Sequence, residues 1–124
     1  MTNSELVKTA ITAVFGNKDI SAFDKYFGEN YIQHNPTFPN GTGVLKQVIP
    51  TMPADFDYEP GVITENGEIV MIHGRYTNWN GKTMVAVDIF RVKEGKITEH
   101  WDVMQEEVTA NKSANGNAMF PIIS

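Results

Sequence analysis

Residues 69–105 read IVMIHGRYTNWNGKTMVAVDIFRVKEGKITEHWDVMQ, and this stretch decides the fold class. Asn80-Gly81 predicts a two-residue type I′ turn, because both central positions of that turn need a positive φ. Lys93-Glu94-Gly95 predicts a three-residue turn that ends in a glycine bulge. The segments between these turns alternate as strands do. The stretch therefore predicts a meander of three long antiparallel strands.

The residues before this meander have helical spacing instead. Thr2 and Glu5 suit a capping box, and apolar residues at positions 6, 7, 10, 11 and 14 form one stripe. Two shorter helices are predicted after Asp19 and after Thr42. Helices followed by strands indicate an α+β fold with the helices packed on one sheet face. We expect one domain over 1–124, with helices in about 3–52, strands in about 55–106 and a tail in 107–124.

Composition and charge exclude several kinds of partner and site. The chain has 124 residues and no cysteine, which excludes disulfides and thiolate metal ligands. A formal net charge of −5, with no run of lysine or arginine, argues against a nucleic-acid partner. No apolar run approaches the ~18 residues of a membrane span, and residues 1–7 are unlike a signal peptide. We therefore expect a cytoplasmic protein without a membrane partner.

The two turns fix the pairing of the strands, and the pairing predicts one sheet face that carries charge. With a two-residue turn at Asn80-Gly81, His73 lies opposite Asp88. With a three-residue turn that ends at Gly95, Asp88 lies opposite His100. Directly opposed residues share a face. The sheet is therefore expected to hold a row of His73, Asp88 and His100.

A second row lies beside the first in this pairing. It contains Arg75, Ala86 and Asp102. Apolar side chains are expected to flank both rows: Met71, Met84, Phe90 and Met104. A two-residue turn at Glu94-Gly95 is the alternative. It would place Asp88 opposite Trp101 and remove the cluster from the face.

The opposite sheet face is predicted to be apolar. Its expected members are Val70, Ile72, Tyr76, Val85, Val87, Ile89, Trp101 and Val103. Because helices can cover only one face, this face needs another cover, and a second copy of the chain would provide it. The pattern therefore predicts a homodimer through the outer face of the sheet.

The predicted charged face suits acid–base chemistry. A carboxylate beside an imidazole fixes the tautomer and orientation that a general acid or base needs. An aspartate among apolar side chains is expected to have a raised pKa. His73 with Asp88 could also be a buried structural pair, and Arg75 with Asp102 an ordinary ion pair. A metal site is a weaker alternative because no close ligand motif is present. We expect neither metal nor cofactor.

Three segments of the chain resemble the SnoaL-like polyketide cyclases: residues 31–36 (YIQHNP), 87–92 (VDIFRV) and 95–102 (GKITEHWD). These cyclases belong to the superfamily of ketosteroid isomerase, scytalone dehydratase and nuclear transport factor 2. The resemblance implies a cone-shaped α+β fold, in which three helices close a strongly curved mixed or antiparallel sheet around an apolar pocket. It also implies dimers and a reaction without a cofactor.

The resemblance and the residues together predict a function and a site. The predicted function is an aldol-type cyclisation, isomerisation or dehydration of a small apolar carbonyl compound. The resemblance implies Asp102 as general base, and His100, His73 and Asp88 are expected to orient and stabilise. The expected substrate contacts are His34, Asn35, Arg75, Phe90, Met71 and Met104. The alternatives are a loop-pinning role for His34 and Asn35, and a non-catalytic protein that binds a small molecule in the same pocket.

Overall fold

Helices pack on one face of a curled five-stranded sheet in the computed structural model, which describes residues 1–123. The helices are α1 (Asn3–Ile11), α2 (Ser21–Tyr26) and α3 (Gly43–Val48), and the strands are β1 (Phe27–Gln33), β2 (Asp57–Asn66), β3 (Ile69–Trp79), β4 (Lys82–Lys93) and β5 (Lys96–Glu106). The strand order is β1-β5-β4-β3-β2, with β1 parallel to β5 and the other pairs antiparallel. The sheet is not closed, because β1 and β2 remain its edges. The predicted α+β class with a curved, mixed sheet is confirmed.

Helix α1 begins at the capping box that the sequence predicts. The hydroxyl of Thr2 accepts a hydrogen bond from the backbone N–H of Glu5, and the Glu5 carboxylate accepts one from the N–H of Thr2, both at 3.1 Å. The apolar stripe continues through a π-helical turn, Thr12–Gly16, so that Val14 is as fully buried as Val7. This stripe forms the helical side of the core.

Strand β1 is absent from the sequence prediction. Its residues Gly28, Glu29 and Asn30 are weak strand formers, and the segment lacks a clear alternation. The strand forms because its backbone pairs in parallel with β5, where Gln33 lies opposite His100. Tertiary pairing therefore overrides the local preference and places the end of β1 beside His100 of β5.

The hairpin of β3 and β4 has the predicted turn but a different register. Asn80 and Gly81 have φ values of 55° and 83°, and Trp79 pairs with Lys82. A bulge lies between Tyr76 and Trp79, where two residues of β3 face one of β4. Asp88 therefore lies opposite Ile72, and His73 lies opposite Val87. The predicted pair of His73 and Asp88 is wrong, because the bulge moves His73 to the other sheet face.

The hairpin of β4 and β5 differs from the prediction in its turn, but the predicted ionisable residues still lie on its inner face. Lys93 pairs with Lys96, so the turn contains two residues and not three. A bulge at Thr98 of β5 follows directly, so that the residues from Glu99 onward point to the predicted sheet faces. Asp88 consequently lies opposite Asp102, while Phe90 lies opposite His100. The predicted pairing is wrong by two residues along β5, since Asp88 faces Asp102 and not His100, yet Asp88, His100 and Asp102 still share the inner face.

The outer sheet face is also composed differently from the prediction. Val70, Ile72 and Tyr76 are buried on the inner face beneath the helices. Val85, Val87, Ile89, Trp101 and Val103 lie on the outer face, as predicted. The C-terminal segment covers part of that face, since the Phe120 ring is 4.7 Å from the Arg75 guanidinium and 5.3 Å from the His73 ring. Within residues 1–123, no helix has the length and apolarity of a membrane-spanning segment.

Candidate active site

A small pocket lies between the inner sheet face and the helices. Its free volume is about 30 Å³, room for only a few water molecules. Aromatic and aliphatic side chains form most of the wall, which is typical of a small-molecule site. The lining residues are Ile11, Phe15, Phe23, Phe27, Tyr31, Gln33, Asn35, Phe38, Leu45, Tyr76, Trp79, Asp88, Phe90, His100, Asp102 and Met104. A larger ligand must displace some of these aromatic rings.

His100 is the centre of the polar part of the pocket. Its Nε2 atom is 2.8 Å from Oδ1 of Asp88 and 3.7 Å from Oδ2 of Asp102. Its Nδ1 atom is 2.6 Å from Oε1 of Gln33. The ring packs on Phe90, with 4.8 Å between the ring centroids. One imidazole therefore contacts two carboxylates through the same nitrogen, and its other nitrogen is held by an amide.

Asp88 is the most deeply buried charged residue of the described chain, with 2% of its surface exposed. Its second oxygen, Oδ2, accepts a hydrogen bond from the hydroxyl of Tyr76 at 2.8 Å. Burial, together with the charge of Asp88, raises the pKa of Tyr76 well above its ordinary value, so the hydroxyl remains a donor. Both oxygens of Asp88 are thus engaged with protein groups.

Asp102 differs from Asp88 in its free hydrogen-bonding capacity. Its Oδ2 atom accepts a hydrogen bond from Nδ2 of Asn35 at 2.8 Å, whereas Oδ1 has no partner among residues 1–123. The side chain is 10% exposed. Burial raises the pKa of Asp102 above its usual value, against the smaller opposing effects of the Asn35 hydrogen bond and of His100. Asp102 can therefore exchange a proton more readily at moderate pH than an exposed aspartate.

Four of the predicted site residues lie on the outer face and do not reach the pocket. His34 stacks on Trp101 with 4.8 Å between ring centroids, and its Nε2 is 2.7 Å from Glu99. The other three are Arg75, which pairs with Glu107 at 2.7 Å, Met71, which is 41% exposed, and His73, which lies beneath Phe120. Their predicted placement is wrong because the β3 bulge inverts their part of the strand, and because His34 points away from Asn35.

The other predicted residues do line the pocket. Asn35, Phe90 and Met104 form parts of its wall beside Asp88, His100 and Asp102. Gln33, Tyr31 and Tyr76 also line the pocket and are absent from the sequence prediction. Gln33 and Tyr31 alternate along β1 with the outward residue Ile32, so recognition of β1 as a strand would have identified both.

Asp88, His100 and Asp102 are the described residues that could hold a metal ion in the pocket. One ligand atom from each lies within 4.8 Å of the others. Nitrogen and carboxylate ligands of this kind suit zinc or a similar divalent ion. However, Nε2 of His100 would have to release Asp88 before it could bind an ion. The absence of a metal therefore stays a prediction.

The family of the chain follows from a match that spans most of the fold. A family described as the SnoaL-like domain matches residues 7–100, from the middle of α1 to His100 in β5. The chain belongs to the SnoaL-like domain family. The resemblance seen in the sequence is thereby confirmed. No curated protein sequence matches the chain.

Several solved structures share the fold of this chain. An NTF2-like protein of unknown function from Cytophaga hutchinsonii has a TM-score of 0.72 at 24% identity, covering 85% of this chain and 91% of that one. A candidate polyketide cyclase from Bacillus cereus has a TM-score of 0.69 at 25% identity, covering 81% and 74%. A candidate ketosteroid isomerase from Kribbella flavida has a TM-score of 0.69 at 14% identity, covering 84% and 78%. Such likeness establishes the fold, while the activity must be argued from the site.

Proposed function

We propose that this SnoaL-like chain is an acid–base enzyme that needs no cofactor and uses Asp102 as its general base. The observation that carries the proposal is the state of the Asp102 carboxylate. It is largely buried, burial raises its pKa, and its Oδ1 atom is free to accept a proton. These are the properties of a carboxylate that can act as a general base.

The surrounding groups support a proton abstraction next to a carbonyl. Asp102 takes a proton from the carbon alpha to the carbonyl, and the electron pair of the C–H bond becomes the enolate. A proton donor must then stabilise the enolate oxygen. His100 lies within 3.7 Å of Asp102 and is paired with Asp88, so it is the nearest group that could carry that proton. Return of the proton, or attack of the enolate on a second carbonyl, completes an isomerisation or an aldol closure.

The charge of the pocket indicates the class of substrate. Its polar lining contains two aspartates and one histidine, and neither lysine nor arginine lines it among the described residues. An anionic substrate would meet like charges in a poorly hydrated site. The substrate is therefore a small, neutral, apolar carbonyl compound. The names of two structural relatives, which refer to a polyketide cyclase and a ketosteroid isomerase, denote ketone chemistry that fits this class.

Deuterium exchange tests the proposal without knowledge of the natural substrate. Small neutral ketones and esters are incubated with the protein in D₂O, and loss of the alpha-proton signal is followed by NMR. Wild type should exceed the buffer rate, and Asp102→Asn should lose about 10²-fold or more of that excess, the usual contribution of a general base. Binding of the same compounds should persist in Asp102→Asn.

Asp57→Asn is the matched control, because Asp57 is exposed on β2 and is not among the residues that line the pocket. It should exchange as wild type does. An Asp102→Asn variant that exchanges at the wild-type rate would contradict the proposed role of Asp102.

The second candidate is a non-catalytic protein that binds a small apolar molecule. The complete pairing of Asp88 with His100 and Tyr76 favours it, because such pairing also serves a purely structural purpose. This candidate predicts that ketones bind to both wild type and Asp102→Asn, and that neither protein accelerates exchange.

A further inference from the structure

The amide oxygen of Gln33 is the acceptor of an unusual set of N–H groups. The backbone N–H groups of His34 and Asn35 each donate to Oε1 of Gln33 at 3.1 Å. A backbone N–H can only donate, so the atom that both contact must be the oxygen of the amide. The orientation of the Gln33 amide is therefore fixed by two groups that do not titrate.

The tautomer of His100 follows from this orientation. Nδ1 of His100 is 2.6 Å from the same Oε1 atom, which can only accept, so Nδ1 must carry a proton. In a neutral imidazole Nε2 then bears only a lone pair. Nε2 lies 2.8 Å from Oδ1 of Asp88, and two lone pairs cannot face each other at that distance. One proton must lie between these two atoms.

We infer that Gln33 is a positioning residue, which holds His100 as the Nδ1–H form and thereby places one proton between Nε2 and Asp88. The pair is then either imidazolium with carboxylate or neutral imidazole with carboxylic acid. In both forms the proton lies on the side of the ring that faces Asp102, 3.7 Å away. The catalytic use of this proton, as donor to the enolate oxygen, rests on the proposed function, whereas the tautomer does not.

Gln33 also links the two halves of the polar cluster. The N–H of Asn35 donates to Gln33, and the side chain of Asn35 donates to Asp102 at 2.8 Å. Gln33 thus positions both the donor to Asp102 and the ring of His100. A neutral amide suits this position, because a glutamate would add a third carboxylate beside Asp88 and Asp102.

Nitrogen-15 NMR of histidine side chains tests the inference on the intact protein. A nitrogen that carries a proton and one that carries a lone pair give well separated signals, and His100→Gln identifies the signals of His100 among the three histidines. In wild type, Nδ1 of His100 should be protonated at every pH at which the protein is folded. An Nδ1 atom without a proton would overturn the inference.

Substitutions of Gln33 test whether this residue is the cause of the Nδ1–H form of His100. Gln33→Leu removes the acceptor, so the neutral ring should shift in measurable part to the Nε2–H form, with its signals moved accordingly. Gln33→Glu restores an acceptor and should keep Nδ1 protonated. Gln47→Glu, the same change at an exposed position of α3, should leave the His100 signals unchanged. Unchanged His100 signals in Gln33→Leu would overturn the role of Gln33.

The deuterium exchange assay separates this inference from the proposed function. If Gln33→Leu shifts the tautomer and lowers exchange while Gln33→Glu keeps Nδ1 protonated, both are supported. If the NMR signals are as expected and no variant, wild type included, accelerates exchange, the positioning role stands and the proposed catalytic function falls.

Discussion

Tyr76 and Tyr58 lie side by side but differ in one hydrogen bond. Their ring centroids are 4.7 Å apart, and only Tyr76 donates its hydroxyl to Asp88. The buried hydroxyl of Tyr58 has no partner among residues 1–123. A hydrogen bond to a charged group contributes about 1.5–3 kcal/mol, whereas an unsatisfied buried group costs free energy.

Tyr76→Phe should therefore lower the free energy of unfolding by about 1.5–3 kcal/mol, because it removes one of the donors to a buried carboxylate. Tyr58→Phe is the matched control and should leave the free energy of unfolding unchanged or raise it by about 1 kcal/mol. Urea denaturation at pH 7 measures both. Equal losses in the two variants would contradict the assigned hydrogen bond.

The ionisation of Asp102 gives a prediction for the dependence of stability on pH. Burial raises the pKa of Asp102 in the folded chain above its value in the unfolded chain. The folded state then binds the proton more tightly, so this group stabilises the fold at low pH, and the contribution is lost as pH rises through the folded pKa. Charged Asp102 therefore destabilises the protein at neutral pH.

Asp102→Asn should consequently be more stable than wild type at pH 7, and its advantage should shrink as pH falls towards ~4, the usual range of an unfolded aspartate. Urea denaturation across this pH range measures the difference, with Asp57→Asn as the exposed control. A variant whose advantage grows on acidification would contradict the raised pKa. Gain of stability with loss of exchange activity would be a stability–activity trade-off at one carboxylate.

At the scale of the element, β3 is shaped by a close approach at Gly74. A Cβ atom added there would meet the Tyr58 hydroxyl at 2.6 Å and Cε1 of Tyr58 at 2.7 Å. The absence of a side chain at Gly74 therefore allows the ring of Tyr58 to lie on the inner face beside Tyr76. Tyr76 in turn donates a hydrogen bond to Asp88, so Gly74 is linked to Asp88 through Tyr58 and Tyr76.

Gly74→Ala should lower the free energy of unfolding by about 1–3 kcal/mol, the usual cost of overpacking a core. Gly43→Ala is the matched control, because nothing lies within 4 Å of its added Cβ and the residue begins α3. It should be neutral or stabilising by up to about 1 kcal/mol, since alanine restricts the unfolded chain. Denaturation midpoints compare the two, and a neutral Gly74→Ala would contradict the tight contact.

At the scale of the whole molecule, the outer sheet face remains partly uncovered. Phe120 is 3% exposed and covers the region of His73 and Arg75, but Val103 is 66% exposed. An apolar sheet face of this kind is typical of a surface between subunits. We therefore retain the homodimer through this face as a prediction.

Light scattering at micromolar concentration should give twice the monomer mass, and Val103→Glu should give the monomer mass by placing a charge in the interface. Val44→Glu makes the same change on α3, where the side chain of Val44 is 38% exposed, and should remain dimeric. Wild type that scatters as a monomer would contradict the dimer. Loss of the dimer in both variants would contradict the proposed face.

The fold class could be predicted because its signals are local. The capping box of Thr2 and Glu5, the turn at Asn80-Gly81 and the change of period from helix to strand each depend on a few neighbouring residues. The shared face of Asp88, His100 and Asp102 was also predicted, in part by chance. The two-residue turn at Glu94-Gly95 and the bulge at Thr98 each shift the pairing by one residue in the same direction, and a shift of two residues leaves the same side chains on the inner face.

The sequence by itself determined the α+β class, the family and the three ionisable residues of the pocket, since alternation along β4 and β5 places them. Only the tertiary structure decided the position of His73, because the bulge between Tyr76 and Trp79, where Asn78 has a φ of 56°, shifts the pairing of β3 with β4 by one residue. It alone produced β1 and so brought Gln33 to His100. Parallel pairing between residues 67 positions apart depends on the whole sheet, and no local pattern records it.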